Sequence, residues 1–458
     1  MKRIVATAIV IAGLLAAAFG ATKLITDSWS RPAGVEPLLG SSPLPPPEKL
    51  GGRIEVWSWN IAAEALKSVI PGYNRRCPGV DVFVNMTGAN MQTRFFLSLS
   101  ARTGGPDVMQ LQNREGPLYS QSGRLTDLTL VAAKYEKEFA PAFWRNVVNN
   151  GRIFAIPWDM GPCAVFYRRD LFEKFGVDPL SIETWDDFIE VGKRMLKQSG
   201  GKTKMLHLPK SNYLESFFEI MLQQNCGQVF DDEGRLAINS EQSLQALRTI
   251  RKLIDSDIGS AAEPWSAEMF ASLQNDSVAT IPMAVWFGGT IKLQAPKMAG
   301  KWGVFRLPAL EPGGSRVSNL GGSILVIPDQ CANKEAAWAY VEYALCTVEG
   351  QLQQYKTQDL FPSLMTAYDD PFFEEPDPYF AGQKARRLFA TEIERIPTLN
   401  RTHNWNEAEG YLGQALSAWA GENTSPEEFL NRIEGKMALR MGVEISPSSL
   451  SLKRSAGR

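Results

Sequence analysis

Trp158 and Asp159 end a short β-rich run, Ile153–Phe154–Ala155–Ile156–Pro157, just ahead of a second run, Cys163–Ala164–Val165–Phe166–Tyr167. An aromatic face beside a carboxylate on irregular backbone can stack on the C–H face of a ring and hydrogen-bond its hydroxyls. That chemistry holds a neutral polar molecule and needs no bond making. Related pairings recur along the chain. Trp59–Asn60 ends the first strand-like run, where a cleft is expected to open. Trp286 is followed by Gly288–Gly289, which let a ligand approach the backbone closely. Gly321–Gly322–Ser323 forms a turn ahead of a strand and offers backbone N–H groups. Tyr213 with Asn212, and Gln112 with Asn113, are loop candidates for hydroxyl contacts. Each tryptophan has the plain alternative of a core side chain, and each polar pair that of a solvated loop. Trp57, two residues inward of Trp59, reads as core.

Groups for other chemistries are sparse. His207 and His403 are the two histidines, each far in sequence from any other metal-ligating His or Cys pair. The five cysteines, at 77, 163, 226, 331 and 346, show no C-x-x-C spacing and read mostly as small buried hydrophobes, one disulfide in an exported protein being the alternative, with no pair singled out. No phosphate loop or nucleophile–histidine arrangement is visible, so the sequence predicts no catalytic residue, no metal and no cofactor.

The elements that must position these residues follow from periodicity. Ile54–Trp59, Val80–Val84 and Asp107–Leu111 read as strands. Between them lie helices over about 62–76 and 91–101, the first expected to kink or end early at Pro71. This βαβαβ order predicts a parallel or mixed sheet covered by helices. Thr184 with Asp187, Asn239 with Gln242, and Ser425–Pro426–Glu427–Glu428 mark helix starts. Strand material returns at Trp302–Phe305 and Ser323–Ile327, and a helical tail follows.

A chain of 458 residues, 44% hydrophobic and 21% charged, is long enough for two cores. Its net charge of −2, without a basic cluster, argues against nucleic acid as a partner. Met1–Lys2–Arg3 ahead of the uncharged run Ile4–Thr22 reads as a signal peptide, with a cleavage site after Ala18–Phe19–Gly20, or as an uncleaved signal anchor. Both predict an extracytoplasmic protein. Residues 23–52, with Pro43, Pro45, Pro46 and Pro47, read as an extended linker, and 446–458 as a disordered tail.

Several short motifs occur in a telling order. They are Ile54–Trp59, Gly105–Pro106–Asp107–Val108, Gly123–Arg124–Leu125–Thr126–Asp127–Leu128, Gly151–Pro157, Phe166–Phe172, Thr184–Phe188 and Lys334–Trp338. With them the chain from Arg53 to Gly442 resembles the extracellular solute-binding proteins of ABC importers, in the maltose- and oligosaccharide-binding branch. The resemblance implies an α/β, two-lobed periplasmic-binding-protein fold of type II, each lobe a mixed sheet flanked by helices. Residues 53–160 and 302–357 would form lobe one, and 161–301 and 358–445 lobe two, with hinge crossings near Met160, Lys301 and Phe361. It implies a saccharide, an oligosaccharide above all, held between the lobes and handed by a monomer to the membrane permease. Trp286 and Trp405–Asn406 match family positions where an aromatic stacks on sugar. Two departures stand out: the lipobox cysteine of Gram-positive members is missing, and Gln112 stands where many relatives carry an acid. A polyamine or other small-solute binder, a ligand sensor for a membrane receptor and, remotely, a glycoside hydrolase using two carboxylates remain alternatives.

Overall fold

The computed structural model describes residues 44–88, 90–211 and 213–451. The expected signal segment and residues 23–43 of the expected linker therefore lie outside the described residues, as do Asn212 and 452–458. In chain order the elements that matter are β1 (Gly51–Ser58), α1 (Asn60–Arg76), β2 (Gly79–Met86), α2 (Met91–Ala101), β3 (Val108–Gln112), β4 (Ala155–Asp159), β5 (Cys163–Arg168), α3 (Trp185–Gln198), α4 (Tyr213–Gln224) and α5 (Glu241–Asp255). After these come β6 (Thr280–Ala284), α6 (Phe287–Gln294), β7 (Trp302–Arg306), β8 (Ser323–Val326), α7 (Lys334–Leu345), α8 (Val348–Gln358), α9 (Trp405–Trp419) and α10 (Pro426–Met441).

Five strands form one sheet in the order β2-β1-β3-β8-β4, with β1 parallel to β2 and β3, and β8 antiparallel to β3 and β4. The parallel connections run through α1 and α2, as the βαβαβ pattern requires. Helix α1 continues through Pro71 instead of ending there. The second sheet is β6-β5-β7, antiparallel throughout. Along β5, Cys163, Val165 and Tyr167 enter one apolar core, while Ala164 and Phe166 enter another. A period of two with both faces buried explains why this strand is apolar without a break.

Two lobes result, and their boundary differs from the expected one. Trp302–Arg306 was expected in lobe one, yet β7 pairs with β5 residue for residue from Trp302↔Arg168 to Arg306↔Ala164. A strand as central and apolar as β5 needs a neighbour on each edge, and β7 supplies the second. The return crossing therefore lies at Ser318–Gly321 and not near Lys301. There the two crossings pair with each other: Gly161 N–H donates to Asn319 Oδ1 at 2.8 Å, Leu320 N–H to Gly161 O at 2.8 Å and Cys163 N–H to Ser318 O at 2.9 Å. A third crossing joins them where Met160 N–H donates to Phe361 O at 2.9 Å.

The ends of the described chain are also more ordered than composition predicts. Pro47–Lys49 forms a 3-10 turn, and Leu44 packs against the first core. The expected tail is held as far as Ser451: Ser446 N–H donates to Leu236 O, Leu450 N–H to Asn239 O, and the Ser449 hydroxyl to Glu434. A buried glutamate that needs donors is the physical reason, since Glu434 is 2% exposed.

Candidate functional site

The carboxyl-terminal edge of the first sheet gathers Ser58, Gln112, Ser323 and Asp159, because Ser323 stands opposite both Gln112 and Asp159. Buried Gln110 ties this edge together. Its Oε1 accepts from the Ser58 hydroxyl at 2.6 Å and from Trp59 N–H at 3.3 Å, and its Nε2 donates to Ser323 Oγ at 3.1 Å. Asp159 is buried, one of its carboxylate oxygens has no partner, and burial pushes its carboxyl up to about 6. The Ser323 hydroxyl and backbone N–H pull the other way without reversing the shift. Trp59 is half-buried, and Asn60 is exposed with a φ of 48°. Gln112 is half-buried, its N–H held by Glu115 at 2.9 Å. Asn113 N–H donates to Gly322 O at 2.9 Å, and its Nδ2 is a buried donor without a partner.

Gly322 is a glycine by necessity. Its φ is 104°, and a Cβ there would lie 2.5 Å from the Phe143 ring and 2.7 Å from Asp159 O. Gly321 lies against Trp286, with 3.5 Å from the position of a Cβ to the indole nitrogen. That nitrogen donates to Leu320 O at 3.1 Å, which fixes Trp286 over the hinge.

Trp286 is stacked on Trp265, with ring centroids 6.0 Å apart and planes 19° from parallel. Trp265 is 55% exposed and holds a φ of 64°, a conformation strained for a bulky side chain. Such strain concentrates at ligand-contacting positions. Tyr213 meets Phe217 edge-on at 5.4 Å and borders an open polar cavity of about 530 Å³ with Lys210, Ser211, Glu263, Pro264 and Ser417. Burial, with Cys163 adding, holds the Tyr213 phenol above its usual range.

Farther along the cleft the lobes meet through charge. Arg114, just past β3, pairs with Glu409 of α9, and Arg145 with Asp232 at 2.7 Å. Beside them lies a polar cavity of about 670 Å³, walled by Asn146, Asn149 and Asn150 of the first lobe and by Asn400, Thr402 and His403 of the second. Glu215, Glu219 and Glu409 bring carboxylate oxygens within 4.8 Å of one another, a spacing that suits a cation. Guanidiniums already stand on two of them, Arg401 on Glu219 and Arg114 on Glu409. Burial, with Glu219 adding, holds the Glu215 carboxyl well above the usual carboxylate range.

Two sequence candidates take a different place from the one expected. Trp158 is 1% exposed inside the first core and offers no stacking face. The ladder explains this: Ser323 opposes Asp159, but Ile324 opposes Pro157, so Trp158 is the extra residue of a bulge. Its carbonyl accepts from Ser363 Oγ at 2.9 Å and from Gln351 Nε2 at 3.0 Å. Trp405 is 3% exposed at the start of α9, its ring lying under Arg401 at 4.9 Å, while Asn406 is exposed. Trp59, Asn60, Gln112, Asp159, Gly321 and Gly322 gather on the first-lobe edge and hinge, with Tyr213 and Trp286 on the second-lobe side.

Sequence reasoning missed Trp265, Arg114, Glu215, Glu219 and Glu409. Two signals were present: Glu215 and Glu219 are four apart in the otherwise apolar helix YLESFFEIMLQQ, and Arg114 follows the candidate pair Gln112–Asn113 directly.

Comparison with known proteins agrees with this architecture. The sequence model of the family described as bacterial extracellular solute-binding protein matches residues 58–346. The chain is 25% identical over 396 residues to the arabinooligosaccharide-binding protein of Bacillus subtilis, covering 83% of this chain and 90% of that one. It is 26% identical over 406 residues to the lactose-binding protein of Rhizobium radiobacter, covering 84% and 92%. Among solved structures, the ABC transporter associated binding protein from B. animalis subsp. lactis, in complex with beta-1,6-galactobiose, superposes with a TM-score of 0.71 at 24% identity, over 86% of this chain and 98% of that one. The sugar-binding protein MalE from Xanthomonas citri gives 0.74 at 18% identity, over 85% and 98%.

Proposed function

The chain belongs to the bacterial extracellular solute-binding protein family, and we propose that it is the binding component of an ABC importer, closing two lobes on a neutral oligosaccharide. The observation that carries this reading is the Trp265–Trp286 stack beside the glycine floor Gly321–Gly322. A half-exposed indole held in a strained conformation next to close-approach backbone suits the C–H face of a sugar ring. Tyr213, Trp59, Asn60, Gln112, Asp159 and Ser323 supply hydroxyl partners around it, and Trp405–Asn406 lie beside Arg401. The names of the arabinooligosaccharide- and lactose-binding relatives support a saccharide.

Stacking adds about 0.5–1.5 kcal/mol per ring beyond burial, and a hydrogen bond to a charged group about 1.5–3 kcal/mol. A few such contacts reach the roughly −8 kcal/mol of micromolar binding. Closure is then a population shift, driven by the ligand's better fit to the closed form, which docks on the permease. The family is extracellular; in this reading residues 1–22 export the chain or stay as its anchor, and the protein works as a monomer. Lobe one comprises 51–160 and 322–358, and lobe two 161–318 with 365–451.

A polyamine ligand has one observation in its favour, the carboxylates of Glu215, Glu219 and Glu409, and one against it, the two guanidiniums on them. Calorimetry with arabino-oligosaccharides, lactose, galactobiose and spermidine separates the readings. The proposal expects heat with at least one saccharide and a weaker affinity, by about three- to tenfold, in Trp265→Ala and Trp286→Ala. Heat with spermidine alone, or product formed from a bound glycan, would sink it.

A further inference from the structure

Three carboxylates and two guanidiniums make a small charge cluster at the lobe contact, and one of the five groups comes from the opposite lobe. Glu215 and Glu219 lie one turn apart on α4, Glu409 projects from α9, and Arg401 comes from the segment leading into α9. Arg114 alone belongs to the first lobe, and it reaches Glu409 from the turn that follows β3. The turn is rigid, because Glu115 holds Gln112 N–H and accepts from Gln92, while Asn113 is tied to Gly322 and Asn146. Arg114 is thus carried on a fixed arm.

The wall of the socket belongs to the second lobe. Phe218, Leu222, Val229, Trp405 and Leu412 enclose a void of about 10 Å³ against the three carboxylates, room for one water. Trp405 lines this void, and its Nε1 is a buried donor without a partner. Separating the lobes therefore leaves the apolar wall in place and removes Arg114. What remains is three clustered carboxylates facing one guanidinium, an arrangement that like-charge repulsion resolves by binding a proton.

Among the described residues, the other ionisable groups around the cluster do not supply a substitute cation. Glu407, the neighbour of Glu409 on α9, turns to Arg440 at 2.8 Å. On α5, which packs against α4, Arg248 pairs with Glu427 and Lys252 with Asp186. Cys163 of β5 faces Glu219 as a thiol that burial pushes up. His403 lines the adjoining cavity, and burial moves its imidazole down, toward the neutral form. The second cross-lobe pair, Arg145–Asp232, is exposed at 52% and 73% and is weakened by solvent and salt.

We propose that Arg114 is a cross-lobe latch whose seating on the Glu215–Glu219–Glu409 socket couples lobe closure to proton release. The closed form binds fewer protons than the open one; burial holds the Glu215 carboxyl up to about 8 even with Arg114 seated, so closure is favoured as pH rises through and above that value. This device does not depend on which solute the protein carries, and it is measured without one.

The test is the closed-to-open ratio of the full chain in the absence of saccharide, read at about pH 7 and pH 9, either side of the Glu215 value. The reporter is a donor–acceptor dye pair across the lobes, with X-ray scattering as a check on overall dimensions. The wild type is expected to close further at pH 9. Arg114→Met and Glu409→Gln should each lower the closed-to-open ratio by about fivefold, the upper end for a partly exposed ion pair. Both should also flatten its pH dependence. Arg114→Lys keeps the charge and should retain closure, while Glu215→Gln should keep closure and lose the pH response. Because Arg114 and Glu409 lie on different lobes, one soluble variant of the two is enough. Wild-type ratios and wild-type pH dependence in Arg114→Met or Glu409→Gln would overturn the latch, as would closure that increases from pH 9 toward pH 7.

Discussion

Replacing Asp159 by asparagine is expected to stabilise the protein above pH 7 while weakening its hold on ligand. Asp159 is 7% exposed, has a carboxylate oxygen with no partner, and is pushed from 3.8 to about 6 by burial. Between those two pH values the folded chain holds a proton that the unfolded chain has released. Stability therefore falls as pH rises through this window and stays reduced above it, by ~3 kcal/mol at 1.36 kcal/mol per pH unit. His207 works in the opposite direction. Burial lowers its imidazole from 6.5 to about 4, so between those values the unfolded chain binds a proton that the folded chain refuses, and stability falls as pH drops. The two windows overlap, and in the wild type their slopes offset between pH 4 and 6.

Asp159→Asn removes one slope and exposes the other. At pH 8 the variant should be more stable by about 1–3 kcal/mol, the lower figure allowing for unmet hydrogen bonds of the new amide. At pH 4, where Asp159 is itself protonated, the two proteins should converge. Urea unfolding followed by tryptophan fluorescence, at pH 4, 6 and 8, reads this as a midpoint shift of roughly 0.5–1 M at the highest pH. A variant less stable than wild type at pH 8, or a gap of equal size at pH 4 and 8, would refute the reasoning. A group that costs stability at the pH where it works fits a site kept for binding.

Trp265→Ala and Trp286→Ala should each weaken saccharide binding by about three- to tenfold from lost stacking alone. Circular dichroism should stay unchanged for Trp265→Ala, because that side chain is 55% exposed. Gly322→Ala should destabilise the hinge by roughly 2–4 kcal/mol, since the added Cβ meets Phe143 and the Asp159 carbonyl at a φ of 104°; thermal unfolding measures it. Ending the chain at Ile445 should lower the melting temperature, because it takes Ser449 and Ser451 from buried Glu434 at a cost of about 1–3 kcal/mol. A Glu434→Met change in the truncated chain should recover much of that loss.

Much of the architecture was legible because it rests on periodicity. The βαβαβ opening, the capped helix at Thr184 and the run Ser323–Val326 are local patterns, and the sheet follows from them. The placement of β7 was not legible, since an apolar strand such as Trp302–Phe305 carries no mark of the sheet it will join. Its partner is decided by the vacant edge of β5, a tertiary fact. The charge cluster escaped for the same reason: Arg114 and Glu409 are 295 residues apart and meet only when the lobes do.

Trp158 and Asp159 show most sharply where sequence reasoning stops. Adjacent residues on a regular strand point to opposite faces, so a strand cannot present both to one ligand. The pairing rests on Pro157, which marks backbone outside a regular ladder, and β4 is an edge strand with a bulge at this point. The bulge resolves the choice against the aromatic. Trp158 is the unopposed residue, and its side chain drops into the first core while its carbonyl turns to Ser363 and Gln351. Asp159, one residue on, is delivered to the sheet edge opposite Ser323, next to the crossing at Met160. The extra residue thus lets one tryptophan anchor the hinge from inside while the carboxylate beside it reaches the cleft. In the proposed site the stacking surface that the sequence sought here is instead the Trp265–Trp286 pair on the other lobe, which places ring and carboxylate on opposite sides of the cleft.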